Sequence, residues 1–149
     1  MKLYVFLEMF RTEGYEDQYI WIDQICIDQE NVSERNHQVG LMAMIYSHCN
    51  IVFVWLSDQD EACAAAARDF ASTRRLDPLV VLLRNEYFAR LWIVQEILLA
   101  PAVWVFTSAR MWIPWAAIQE CVDSGENWDR FANLNLRPSC AKSLLNLQA

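Results

Sequence analysis

Tyr19-Ile20-Trp21-Ile22-Asp23-Gln24-Ile25-Cys26-Ile27 is the stretch on which the fold reading turns. Seven of its nine residues are apolar, most of them β-branched or aromatic. A near-continuous apolar run without clean alternation predicts a strand covered on both faces, as in a parallel sheet. Asp28-Gln29-Glu30-Asn31 ends the run with loop residues. Just beyond, Asn31 and Glu34 form a capping-box-like pair that predicts a helix start. Val39, Met42, Ala43, Tyr46 and Cys49 then recur at helical spacing as one apolar stripe, with Asn50 as the stop.

Further out, Ile51–Leu56 and Ala102–Phe106 predict two more buried strands. Between them, Glu61–Phe70 contains the alanine run Ala64–Ala67 and is a strong helix former. Thr73–Pro78 reads as a charged connection, and Leu79–Leu83 is apolar without a decisive period. Glu86–Ala100 predicts a helix with Phe88, Leu91, Trp92, Gln95 and Leu98 on one side, ended by Pro101. Residues 3–10 read as the end of a helix stopped by Thr12–Gly14. Pro114 suits the first turn of a last helix, Trp115–Val122, closed by Ser124-Gly125. Strands alternating with helices predict an α/β domain with a parallel sheet flanked by helices. Its ligands would collect at the carboxyl ends of strands, here Asp23, Asp28 and Gln29 from the first and Ser57 and Asp58 from the second. Residues 1–125 read as the domain, and 126–149, weakly periodic, as a poorly ordered C-terminal extension.

Composition narrows the class. The chain has 149 residues, 55% hydrophobic and 21% charged, which fits one domain and excludes wholesale disorder. With 3 Gly and 4 Pro it is too poor in turn formers for a turn-dense all-β fold. Twelve basic against 19 acidic residues give a net charge of -7, which argues against nucleic-acid binding. The longest apolar run, Ile97–Phe106, is well short of the roughly 18 to 20 residues a membrane span needs. Lys2 followed by Leu3–Leu7 is too short for a secretory signal. Five scattered cysteines without a C-x-x-C pair point to reduced thiols and a cytoplasmic protein.

No G-x-G-x-x-G, P-loop or G-x-S-x-G motif occurs, and His37 and His48 are too few for a histidine metal site. His48 and Cys49 are adjacent, so on a helix they diverge by about 100° and make a poor nucleophile pair. Two carboxylates inside apolar segments carry more information. Asp23 is either a structural acid bonded to a helix start or an arginine, or part of a site; both readings stay open. Glu96 lies four residues after Trp92, which on a continuous helix shares a face with it. An aromatic ring beside a carboxylate suits sugar-ring chemistry, and it also suits a plain amphipathic helix.

The block Trp21-Ile22-Asp23-Gln24-Ile25-Cys26-Ile27-Asp28-Gln29 resembles the W-I-D-x-x-C-I-[DN]-Q signature of the fungal heterokaryon-incompatibility (HET) domain. The resemblance continues through Glu34-Arg35, Gln38-Val39, Met42 or Met44, Ile45-Tyr46 and Val54-Trp55-Leu56. It ends in Arg90-Leu91-Trp92-Ile93-Val94-Gln95-Glu96 and a late tryptophan, Trp112 or Trp115, so that it spans roughly residues 15 to 120. It implies a part in fungal non-self recognition and programmed cell death, through self-association or contacts with protein partners. HET domains are in turn similar to TIR domains, which implies a flavodoxin-like fold. Some TIR domains cleave NAD with a glutamate in a W-x-x-x-E setting. That likeness implies Glu96 as catalytic carboxylate, Trp92, Asp23, Asp28 and Arg90 as substrate-binding residues, NAD as substrate, and no cofactor or metal. Motif position also makes Arg90 a partner for a buried acid. The Y-x-A-L-S-Y-x-W-G block that usually opens the family is not matched between Met1 and Gly14, so the resemblance implies a domain lacking its first strand.

Overall fold

The computed structural model describes residues 2–15, 17–56, 61–90, 93–107 and 110–124. They form seven α-helices, one 3-10 turn and three strands: α1 (Lys2–Thr12), α2 (Asp23–Cys26), α3 (Val32–His48), β1 (Val52–Leu56), α4 (Glu61–Thr73), α5 (Leu76–Leu83), the 3-10 turn Glu86–Ala89, α6 (Ile93–Leu98), β2 (Val103–Thr107), β3 (Trp112–Pro114) and α7 (Trp115–Asp123). The chain divides into two compact units, Met1–Ile45 and Tyr46–Ala149. The extension expected over 126–149 lies outside the described residues.

In the first unit, α1 buries Phe6 and Phe10, whose ring centroids lie 5.5 Å apart. Gly14, at φ 85°, takes the left-handed turn after the helix, a conformation that glycine adopts without steric cost. The strand expected over Tyr19–Ile27 does not form. Residues 19–22 have no regular structure, and α2 follows as a single turn. Its hydrogen bonds close locally: Ile25 and Cys26 donate to the Ile22 carbonyl, and Ile27 donates to that of Asp23. A strand needs a neighbouring chain for its ladder, whereas Asp side chains favour local turns. Asp23 Oδ1 accepts from the Gln24 N–H at 2.8 Å, and Asp28 Oδ1 accepts from that of Glu30 at 3.0 Å. The run is accordingly wet: Tyr19 is fully exposed, Ile25 is 58% exposed, and only Ile27 is buried.

α3 begins where the cap pair places it. Asn31 Oδ1 accepts from the Glu34 N–H at 3.1 Å, and the Asn31 carbonyl accepts from Arg35. The Glu34 carboxylate reaches past the cap to the Asp28 N–H at 3.0 Å, tying the preceding loop to the first turn. The apolar stripe is thinner than its spacing suggests: no residue of α3 is buried, and only Tyr46, with Cys49 just beyond the helix end, packs against a core.

In the second unit the sheet order is β1-β2-β3. β1 and β2 are parallel, with Val52 opposite Val103 and Leu56 opposite Thr107. β3 is antiparallel to β2, with Phe106 opposite Trp112. The α/β class therefore holds, while the expected parallel sheet becomes a small mixed one. A short connection returns the chain beside β2: Arg110 sits at φ 56° and donates to the Thr107 carbonyl, and Thr107 donates to Met111. So short a link permits only an antiparallel neighbour.

Alternation assigns the two faces. Val52, Val54, Leu56, Val103, Val105 and Ile113 join a core with Phe70, Leu79, Leu83, Phe88, Ile93 and Ile118 from the helices. α4 packs on α5, α5 on α7, and α7 on β2 and β3. The opposite face is aromatic: Trp112 stacks on Phe106 at 4.0 Å, and Phe53 meets Trp112 edge-on at 5.2 Å. α5 takes in Leu79–Leu83 and part of the expected connection, because Pro78 falls in its first turn, where a missing N–H costs nothing. Pro114 occupies the N-cap of α7 rather than its first turn.

Candidate functional site

The helix expected over Glu86–Ala100 is broken, and the break builds the candidate site. Asn85 Oδ1 accepts from the Tyr87 N–H at 3.0 Å and fixes the 3-10 turn. Arg90 is then extended, at φ -80° and ψ 137°, before α6 starts at Ile93. This fold brings the Tyr87 hydroxyl onto Glu96, where it donates to Oε2. Both partners are anchored. The Tyr87 ring meets buried Phe88 edge-on at 5.3 Å, and Glu96 sits between Ile93 and Ile97, which point into the core.

Burial pushes the Tyr87 phenol well above its ordinary 10.0, and the Glu96 carboxylate raises it further through charge and hydrogen bond, with Tyr46 adding to the rise. The Arg90 guanidinium, 5.8 Å over the Tyr87 ring, acts in the opposite direction. Tyr87 is thus a donor throughout the ordinary pH range. Half-buried Glu96 has one oxygen held by that donor, and no second hydrogen bond to its carboxylate occurs among the described residues. A carboxylate so fixed can face a developing cation or accept a proton.

Glu96 and Arg90 therefore meet around Tyr87. Arg90 is exposed and lies over an aromatic ring, with no ion pair to a buried acid among the described residues, contrary to the expectation for it. Trp92, Ser57 and Asp58 lie outside the described residues. Asp23 and Asp28 belong to the first unit, where their carboxylates serve the turns around α2; Asp23 is half-buried and Asp28 exposed, not buried strand residues. The Gln29 side chain donates to the Asp23 carbonyl at 2.9 Å and closes the same loop.

Cys49 offers no activated nucleophile. Its thiol donates to the Tyr46 carbonyl at 3.2 Å, burial raises its pKa, and His48 Nδ1 pairs with the Ser47 hydroxyl at 3.0 Å. No group of three metal-ligating side chains converges among the described residues. Tyr87 is the residue that sequence reasoning missed: nine positions before Glu96, it matches no helical spacing, and the break after Ala89 that brings the two together carries no Gly or Pro.

Comparison with known proteins agrees with the resemblance. The model of the family described as Heterokaryon incompatibility protein (HET) matches residues 2–80. The chain is also similar to "Heterokaryon incompatibility protein 6, OR allele" of Neurospora crassa, with 54% identity over 37 residues. That stretch covers 25% of this chain and 5% of the relative, so the chain spans a small part of its relative's length. No solved structure matches. The family match ends before Tyr87, Arg90 and Glu96.

Proposed function

This chain belongs to the heterokaryon incompatibility family, and from that premise we propose that it serves fungal non-self recognition, acting in the death response of incompatible fusions through self-association or partner contacts. The observation that carries this reading is the family match across more than half of the chain. Exposed apolar side chains support the contact mode: Val32 and Val39 lie two helical turns apart on α3, and Tyr4, Tyr19 and Ile25 are also open to solvent. Among the described residues no helix is long and apolar enough to cross a membrane. Induced expression of the chain in a fungal host should arrest growth and admit a vital dye. Normal growth at verified expression would count against the proposal.

A second reading, favoured by the Tyr87–Glu96 contact, is a TIR-like NAD nucleosidase. The C1′–N bond of NAD breaks, its electron pair passes to the nicotinamide nitrogen, and Glu96 faces the oxocarbenium-like ribosyl cation. Water then bonds to C1′ and gives its proton to Glu96, and from there to solvent. Purified protein incubated with NAD should release nicotinamide, and Glu96→Gln should not. Equal release by the variant would remove Glu96 from the reaction.

A further inference from the structure

We propose that Tyr87 is a positioning residue for Glu96: its half-buried hydroxyl clamps Oε2 and presents the other carboxylate oxygen to the ribosyl centre of a nicotinamide dinucleotide. The inference rests on the nucleosidase reading and adds to it a residue that lies beyond the family match.

Three observations carry it. Tyr87 is the donor to Glu96, and among the described residues no other hydrogen bond restrains that carboxylate. Both ends of the contact are fixed by the core, through Phe88 beside the phenol and through Ile93 and Ile97 beside the acid. The Tyr87 backbone is pinned as well, by the Asn85 side chain. A carboxylate on so short a helix, with three rotatable bonds, would otherwise sample several rotamers, only some of which place an oxygen against a reacting carbon. A phenol that donates to one carboxylate oxygen selects one of them. Arg90, exposed and lying over the same ring, adds a positive charge beside the pair, the kind of group that phosphates seek.

The test compares wild type, Tyr87→Phe and Glu96→Gln in nicotinamide release. Tyr87→Phe keeps the ring and removes only the hydroxyl. It should lower kcat about 10- to 100-fold with KM within about twofold, since misplacing a reacting group costs turnover rather than binding. An unchanged kcat in Tyr87→Phe, with Glu96→Gln inactive, overturns the positioning role and leaves the nucleosidase reading intact. An inert wild type overturns both. Should Tyr87→Phe fail to melt cooperatively, the 13Cζ resonances of labelled tyrosine decide. In wild type one resonance should stay unmoved as the pH is raised through 10, and at neutral pH that resonance should stand at a different chemical shift in Glu96→Gln, which removes the charge its hydroxyl meets. No difference would mean that the phenol and the acid are not joined, and the proposal would fall.

Discussion

Thr107 ends β2 with its side chain wholly buried, and its hydroxyl has no hydrogen-bond partner among the described residues. A buried polar atom without a partner forfeits its hydration and gains nothing in return. Thr107→Val keeps the shape, keeps the backbone bond to Met111 and suits a strand. It should raise stability by about 1 kcal/mol, read as a higher urea midpoint at unchanged slope. At this scale the sequence was partly legible. Glu96 stands out as an acid within an apolar segment, and the structure gives it a defined partner. Asp23 stands out for the same reason, yet its oxygen serves a backbone turn. Composition and spacing locate a carboxylate; only the path of the chain says what reaches it.

Among the elements, those whose signals are local were the readable ones. α3 starts at the cap pair, α4 follows its alanine run and α7 follows Pro114, because caps and helical periods act over a few residues. Asn31→Ala should therefore cost about 1 kcal/mol, within the usual range for a lost N-cap, and lower the thermal midpoint. An unchanged midpoint would show that the Glu34–Asp28 contact holds the helix start by itself. Elements that depend on distant partners were not readable. Tyr19–Ile27 has strand composition without a ladder, and β3 is three residues long, too short for alternation to show. The break between the 3-10 turn and α6 reflects the Asn85 cap and the extended backbone at Arg90, neither of which disturbs the apolar period.

For the molecule as a whole, the α/β class and the family were legible from several blocks in one order, whereas the sheet's mixed sense was not. The titrating groups with resolved shifts all move one way. Burial raises Tyr87 from 10.0, and it raises Cys49 and Cys121 from 9.0. The folded chain therefore holds these protons more tightly than the unfolded chain does. Their contribution is fully present below the unfolded values and is lost as the pH rises toward the folded ones. The thermal midpoint should thus fall steadily above about pH 9, with a smaller change between about pH 7 and 8. A flat midpoint across the alkaline range would contradict the burial of these three groups.

The aromatic side of the sheet has a magnetic consequence. With Phe106 and Trp112 stacked nearly parallel, 11° apart in tilt, each ring lies in the other's shielding cone. The indole protons of Trp112 are displaced upfield by the phenyl current, so the β2–β3 hairpin carries its own resonance label. That label vanishes as soon as the two strands separate, whether or not the helices on the other side have yet let go.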